Sequence, residues 1–218
     1  MEGYAMSVEH HVGGDLLLAY GAGSLDEATS LLVATHLALC PASRQELGLV
    51  EEVFGVMLDS IPVDAELDES MLDAMISSPR LALAIPATSG SFVLPQPLRD
   101  RAGGDVGDLN WRALGGGIRQ VPLRTNGTAT RARLLSIPAG RSVPDHGHEG
   151  FEATLVLAGT FYDREKWYRR GDVAFADPNV VHQPVAGPEA DCICLAVTDA
   201  PLRFRSLVPR LLQPLFGL

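Results

Sequence analysis

The chain has 218 residues, of which 46% are hydrophobic and 20% are charged, and its net charge is −10. This composition is typical of a globular protein with packed cores, and it excludes a disordered tail or a disulfide-rich miniprotein. No apolar run reaches the roughly 18 residues that a membrane span needs, and the amino terminus lacks the basic and apolar regions of a signal peptide. We therefore expect a cytoplasmic protein with no membrane partner.

The negative charge is concentrated in the first part of the chain. Up to Gly90, 14 acidic residues face only Arg44 and Arg80, which gives a net charge of −12, whereas the remainder carries +2. An acidic surface repels nucleic-acid phosphates, so we expect no direct nucleic acid binding. Such a surface attracts proteins that present a basic face to nucleic acids. The alternative is a solvated acidic helical surface that only keeps the protein soluble.

Residues 1–80 predict a small all-α domain. Ser24 followed by Glu27 has the spacing of a capping box and predicts the start of the second helix. In the third helix we expect an inward apolar face formed by Leu47, Val50, Val53, Phe54, Met57 and Leu58. The four predicted helices cover residues 16–20, 24–39, 41–58 and 68–77.

The rest of the chain predicts a linker and a β domain. Residues 81–108 are rich in proline and glycine, which is typical of a linker. From 109 to 218, short apolar and β-branched runs alternate with turn residues about every ten positions, which indicates a β-sandwich or barrel. The predicted fold class is therefore α+β multidomain. The last stretch, Leu207 to Leu218, could dock on the barrel or on a second copy, which leaves a homodimer open.

Four residues of the β domain have the pattern of a metal site. His146 and His148 are two positions apart, so an extended strand places both imidazoles on one face, and Glu152 returns to that face after the turn at Gly150. A fourth ligand, His182, would come from a later strand. Three imidazoles and a carboxylate suit Zn, Fe(II), Mn or Ni.

The spacing of these residues resembles the cupin family. The first cupin motif is matched at every position by Gly140, His146, His148, Glu152 and Gly159. The second motif keeps the separation of its glycine and histidine but departs from the usual proline and glycine between them, the four positions being Gly171, Asp177, Asn179 and His182. The resemblance implies a double-stranded β-helix barrel with the metal inside it.

A second histidine and cysteine group lies in the helical part. His36 and Cys40 are one helical turn apart on one face, and His11, or less favourably His10, could fold back to the same point. This pattern resembles the zinc-binding anti-sigma domain, in which a distant histidine is followed by His-x3-Cys-x2-Cys. The last cysteine of that pattern falls at Ser43 in this chain.

The missing cysteine leaves this amino-terminal site open to several interpretations. Serine is a poor zinc ligand, so His11, His36 and Cys40 form a weaker, three-ligand site. Water or Glu46, one turn after Ser43, could complete it. The alternative is an ordinary helix-packing cysteine and a capping histidine.

Together, the acidic helices, the proline-rich segment and the cupin motif resemble the ChrR-type zinc anti-sigma factors over nearly the whole chain. The resemblance implies that the helical domain sequesters an extracytoplasmic-function sigma factor and blocks its access to RNA polymerase. It also implies that the cupin domain is needed for release when singlet oxygen or related oxidants appear. Zinc is the implied metal, with Fe, Mn or Ni as alternatives in the barrel.

Two other functions are compatible with a cupin barrel. Many cupins are metal-dependent enzymes, such as dioxygenases or isomerases that act on small molecules. Against this, the polar and aromatic residues of the barrel that could recognise a substrate do not have a spacing that demands catalysis. These residues are Arg133, Thr154, Tyr162, Trp167 and Tyr168. We therefore predict no catalytic residue. A third possibility is a metal or small-ligand sensor that has no sigma partner.

Cys192 and Cys194 share one strand face and are expected to be buried, with oxidation near the metal as the alternative.

Overall fold

The computed structural model describes residues 7–62, 69–77, 91–126 and 130–204. Helices occupy most of the first half of this part of the chain and strands the second half. The helices are α1 Gly14–Gly21, α2 Glu27–Leu39, α3 Pro41–Asp59, α4 Glu69–Ser77 and α5 Gln96–Ala102, followed by a 3-10 turn at Val106–Asp108. The predicted docking segment from Leu207 to Leu218 lies outside the described residues.

The second helix begins later than the capping-box pattern predicts. Asp26, not Ser24, is the N-cap of α2, because its carboxylate accepts hydrogen bonds from the backbone amides of Ala28 and Thr29. The Ser24 hydroxyl instead donates to the carbonyl of Ala19 at the end of α1. The prediction failed because two residues that can cap a helix lie two positions apart, and Asp26 is the one next to the first turn.

Part of the predicted linker is packed structure. Helix α5 lies within it, follows Pro95 and ends at Gly103, which adopts a left-handed conformation with φ of 84°. Leu94 and Leu98 are fully buried. The Asp105 carboxylate accepts hydrogen bonds from the amides of Val93 and Leu94. Residues 91–108 therefore differ from the predicted linker, whereas the division into a helical domain and a barrel domain stays a prediction.

The strands form three antiparallel sheets that close into a double-stranded β-helix barrel, as the cupin resemblance implies. Their orders are β1-β2-β3-β11-β5-β8, β10-β6-β7 and β12-β4-β9. The strands are β1 Arg112–Gly115, β2 Ile118–Leu123, β3 Arg131–Ile137, β4 His146–His148, β5 Glu152–Ala158, β6 Thr160–Asp163, β7 Lys166–Arg169, β8 Val173–Ala176, β9 Val181–His182, β10 Val185–Ala186, β11 Cys192–Thr198 and β12 Leu202–Phe204.

The six-stranded sheet contributes to two hydrophobic cores. Side chains alternate between its faces, so Leu134 and Leu195 point outward against the helices, while Cys194 points into the barrel. Leu32 of α2 and Leu98 of α5 join the outer core and are fully buried. Each buried leucine contributes about 2 kcal/mol of transfer free energy. The helices and the barrel therefore share one core, and the candidate site lies on the opposite, inner side of the sheet.

Candidate metal centres and an exposed helix face

Neighbouring strands bring the four predicted barrel residues together. His146 on β4 lies directly opposite His182 on β9 in the antiparallel register, His148 follows on the same face of β4, and Glu152 begins β5. The Nε2 atom of His182 is 3.1 Å from Nε2 of His148 and 3.2 Å from Nε2 of His146. Glu152 Oε2 lies 3.8 Å from His146 Nε2, and Glu152 Oε1 lies 3.9 Å from His182 Nε2. We call these four residues the barrel cluster.

The outer hydrogen bonds of the barrel cluster favour a metal between the rings. His146 Nδ1 donates to the carbonyl of Pro144 at 2.7 Å, and His182 Nδ1 donates to Asp163 at 2.8 Å. In their neutral form, both rings therefore direct Nε2 lone pairs at each other. The two lone pairs repel each other unless a cation lies between them. Zinc bound by nitrogen at about 2.1 Å spaces tetrahedral ligands about 3.4 Å apart, close to the observed separations. The four side chains fit a divalent metal.

The pKa shifts of Glu152 and His148 suit metal ligands. Burial alone would raise the pKa of Glu152, but the nearby imidazole of His146 and the charges that His148 and His182 can carry lower it to about 2. Burial lowers the pKa of His148. For His146, burial acts in the same direction, but the Glu152 carboxylate outweighs it and raises the pKa. A carboxylate that stays ionised beside imidazoles is the donor set that binds a divalent cation.

Sequence reasoning missed Asp163, the outer partner of His182. Asp163 ends β6, is buried, and also accepts a hydrogen bond from Nε of Arg164. The hydrogen bond from His182 orients that imidazole and makes its Nε2 a better donor. No spacing signal could have found Asp163, because its contact with His182 depends on how β6 and β9 meet in the barrel.

The sequence candidates for substrate recognition are divided between the two sides of the barrel wall. Thr154 Oγ1 donates to Glu152 at 3.2 Å. Arg133 is buried on β3, and its pKa is lowered to about 10 by burial. Tyr168 is buried, whereas Tyr162 and Trp167 form an exposed aromatic pair on the β6–β7 hairpin. Thr154 therefore contacts the barrel cluster, whereas Tyr162 and Trp167 are exposed to solvent.

The space beside the barrel cluster is small and mainly apolar. A cavity of about 60 Å³ is lined by His146, Glu152 and His182 together with apolar neighbours that include Leu135, Phe161 and Cys194. Cys192 and Cys194 are both buried, as predicted. Their mutual hydrogen bond and burial raise the pKa of the Cys194 thiol well above its usual value. The cavity has room for a molecule of roughly the size of water or a diatomic gas.

The amino-terminal residues also converge. His36 lies in the last turn of α2, Cys40 separates α2 from α3, and His11 comes from the segment before α1. His11 Nδ1 is 3.2 Å from Cys40 Sγ. Ser43 Oγ lies 2.9 Å from His36 Nε2 and 3.5 Å from His11 Nδ1. Ser43 therefore occupies the fourth corner of what we call the amino-terminal cluster.

The hydrogen bonds of the amino-terminal cluster describe an open site. His36 Nδ1 donates to the carbonyl of Gly171 at 2.8 Å, which leaves Nε2 to accept from the Ser43 hydroxyl. Burial lowers the pKa of His36 and keeps the ring neutral. His36 and Cys40 are buried, but His11 is exposed. The residues fit a three-ligand site in which a hydroxyl stands where a closed zinc site needs a fourth strong donor.

The alternative ligands lie elsewhere. His10 packs against the ring of Tyr168 and lies 3.6 Å from the Asp172 carboxylate. Glu46 is outside the group of metal-binding atoms that the described residues bring together, and its carboxylate lies close to Gly14. Of the two adjacent histidines, His11 is therefore the one that reaches Cys40.

Helices α3 and α4 each expose several large apolar side chains. The prediction that Val53, Met57 and Leu58 point inward is wrong, because these side chains are 59–68% exposed. The end of α1 at Gly21 packs on Leu47, Val50 and Phe54 and leaves the second half of α3 uncovered. The exposed residues, which we call the apolar helix face, are Leu49, Val53, Val56, Met57, Leu58, Ile61, Met71, Leu72, Met75 and Ile76.

Comparisons with known proteins agree with this arrangement. Residues 99–201 match the ChrR cupin-like domain family. The anti-sigma-E factor ChrR of Cereibacter sphaeroides is 47% identical over 212 residues, which cover 97% of this chain and 99% of that protein. A crystal structure of Rhodobacter sphaeroides SigE in complex with the anti-sigma ChrR matches with a TM-score of 0.77 and 43% identity, over 88% of this chain and 99% of that one. None of the described helices is long and apolar enough to cross a membrane. The chain therefore belongs to the family of the anti-sigma factor ChrR.

Proposed function

We propose that this protein is an anti-sigma factor that sequesters an extracytoplasmic-function sigma factor and keeps it from RNA polymerase. The observation that carries the proposal is the apolar helix face on α3 and α4. Large exposed apolar patches on a folded protein mark interaction surfaces. The relative of known structure was crystallised as a complex of SigE with ChrR, which supports a sigma factor as the partner here.

Charge and apolar surface have different roles in the proposed complex. Glu51, Glu52, Asp59 and Asp73 are exposed on the same two helices. A sigma factor must present basic surface to promoter phosphates, so these carboxylates speed its encounter and compete with DNA. The apolar helix face supplies the contact core that holds the complex together. The proposed surface lies within the predicted helical domain, residues 1–80, and the proposed barrel domain covers 109–218.

A binding titration tests this surface in the full chain. Met57→Asp and Met75→Asp together place a charge on each helix of the apolar helix face. Both positions are more than half exposed, so the fold should be unaffected. We expect affinity for the cognate sigma factor, identified from a panel of such factors of the source organism, to fall at least about 100-fold.

The matched control is Trp167→Asp, an exposed apolar side chain on the barrel hairpin that should leave affinity unchanged. Circular dichroism and thermal unfolding of all three proteins should coincide. If the double variant binds the sigma factor as tightly as the parent does, the apolar helix face is not the binding surface.

We further propose that the barrel cluster of His146, His148, Glu152 and His182 holds zinc and that the barrel governs release of the sigma factor under singlet oxygen or a related oxidant. When bound, the metal supplies a fixed positive centre that ties β4, β5 and β9 together. The residues themselves orient the site: Asp163 and Pro144 fix the imidazole tautomers, and Glu152 provides the negative charge. Addition of oxidant to the complex should free the sigma factor from the parent but not from a barrel-ligand variant.

The barrel favours regulation over catalysis. Its cavity of about 60 Å³ is far smaller than the roughly 300–1,000 Å³ of small-molecule sites. We therefore assign no catalytic residue and propose that the protein acts in the cytoplasm, where RNA polymerase and its sigma factors work. Turnover of a small molecule by the isolated protein would contradict this assignment.

A further inference from the structure

A turn of the barrel binds the segment that carries His11. We call residues Arg169–Val173 the barrel turn. Asp172 Oδ1 accepts hydrogen bonds from the backbone amides of Glu9 at 2.7 Å and His10 at 3.0 Å, and the amide of Val173 donates to the carbonyl of His10 at 2.9 Å. Asp172 is almost fully buried. Three hydrogen bonds thus attach the segment before α1 to the barrel.

The same turn contacts the other histidine of the amino-terminal cluster. The carbonyl of Gly171 accepts the hydrogen bond from His36 Nδ1. Gly171 has a φ of +95°, and a Cβ atom there would lie only 2.6 Å from Val8 Cγ2, so the turn and the segment before α1 are in direct contact. Both histidines of the amino-terminal cluster, His11 and His36, are therefore linked to the barrel turn.

The barrel turn also connects to the barrel cluster. It leads directly into β8, whose last residue, Ala176, pairs with Glu152 on β5. On its other side, the amino-terminal cluster contains Cys40, the N-cap of α3, and α3 carries much of the apolar helix face. A path of strand pairing, covalent backbone and side-chain hydrogen bonds thus runs from the barrel cluster to the start of the proposed sigma-binding helix.

We infer that the barrel turn positions the amino-terminal cluster and that Asp172 is its positioning residue. Asp172 fixes the backbone of Glu9 and His10, and so places His11 beside Cys40. Loss of this carboxylate should let the segment before α1 leave the barrel and uncover Cys40. The regulatory consequence, that a rearranged barrel reaches α3 through this turn, rests on the proposed function, whereas the positioning role does not.

Cysteine alkylation in the full chain tests the positioning role. The three thiols start from equal burial, because Cys40, Cys192 and Cys194 are all at most 1% exposed. In metal-free protein treated with iodoacetamide, Asp172→Ala should raise the alkylation rate of Cys40 at least about 10-fold, because local opening exposes it. Cys192 and Cys194, inside the barrel, should keep the parent's rate. Mass spectrometry of the peptides reads the three sites separately.

Two further variants sharpen the test. Asp105→Ala is the matched control, since the Asp105 carboxylate also accepts two backbone amide hydrogen bonds but lies in another turn. It should leave Cys40 protected. Asp172→Asn keeps one acceptor oxygen and should give a smaller increase than Asp172→Ala.

Two results would overturn the inference. One is unchanged alkylation of Cys40 in Asp172→Ala, and the other is an equal increase at all three cysteines, which indicates general loss of stability. Sigma binding by the parent is measured separately, so a failure there would remove the proposed function and leave the positioning role standing.

Discussion

The barrel cluster and the amino-terminal cluster use similar side chains but differ in how they are built. In the barrel, four donors come from three strands whose register holds them in place, and all are buried or nearly so. In the amino-terminal cluster, three donors come from a helix end, a cap and an extended segment, and the hydroxyl of Ser43 fills the fourth corner. Because four donors lie together in the barrel and only three in the amino-terminal cluster, we expect the barrel to bind zinc more tightly.

The largest expected effect is removal of the barrel cluster. Replacing His146, His148, Glu152 and His182 by alanine should reduce bound zinc by one equivalent per chain. Because the proposed zinc would bind only the folded barrel, its loss should also lower the free energy of unfolding, by ~4 kcal/mol where free zinc is about 1,000 times Kd. Metal analysis and thermal unfolding with and without zinc measure both. Metal content equal to that of the parent would exclude these ligands.

A smaller effect is expected from the partner of His182. Asp163→Asn should leave the four ligands present but weaken zinc binding in the barrel by about 10–100-fold, because the imidazole loses its orienting carboxylate. Chelator competition measures the affinity. Asp177→Asn, a change in an exposed turn, serves as the control. Equal affinities for Asp163→Asn and the parent would show that Asp163 does not tune the site.

The barrel cluster and Asp163 differ in how well the sequence predicts them. The convergence of the barrel cluster was predictable, because an extended strand places His146 and His148 on one face and the cupin resemblance supplies Glu152 and His182. The contact of Asp163 with His182 was not, since it depends on tertiary structure. The apolar pattern of α3 indicated an amphipathic helix. Periodicity alone cannot distinguish an apolar residue that packs in the core, such as Leu47, from one that remains exposed, such as Met57.

The amino-terminal cluster should respond to its fourth corner. Ser43→Cys supplies a thiolate where the hydroxyl now lies and should tighten zinc binding there at least about 10-fold. In the parent, a mild chromogenic chelator should remove zinc from this cluster before it removes zinc from the barrel. Ser43→Ala, the matched control, should not tighten binding. If Ser43→Cys and the parent bind zinc equally, the hydroxyl is not at a ligand position.

The smallest expected effect is a change in the pH dependence of the free energy of unfolding. Burial lowers the pKa of His36, so below about pH 6.5, its ordinary value, the unfolded chain takes up a proton that the folded protein resists. The stability due to neutral His36 is therefore present at neutral pH and declines as the pH falls below 6.5. Urea unfolding of metal-free parent and His36→Gln at pH 7.5 and 5.5 should show a shallower decline for the variant. Identical declines would mean that His36 is not protected from protonation.

Transcription in vitro tests whether the apolar helix face silences a sigma factor. RNA polymerase programmed with the cognate sigma factor should be repressed by the full chain and equally by Trp167→Asp. The Met57→Asp and Met75→Asp double variant should fail to repress at the same concentration. Repression by the double variant equal to that of the parent would contradict the account.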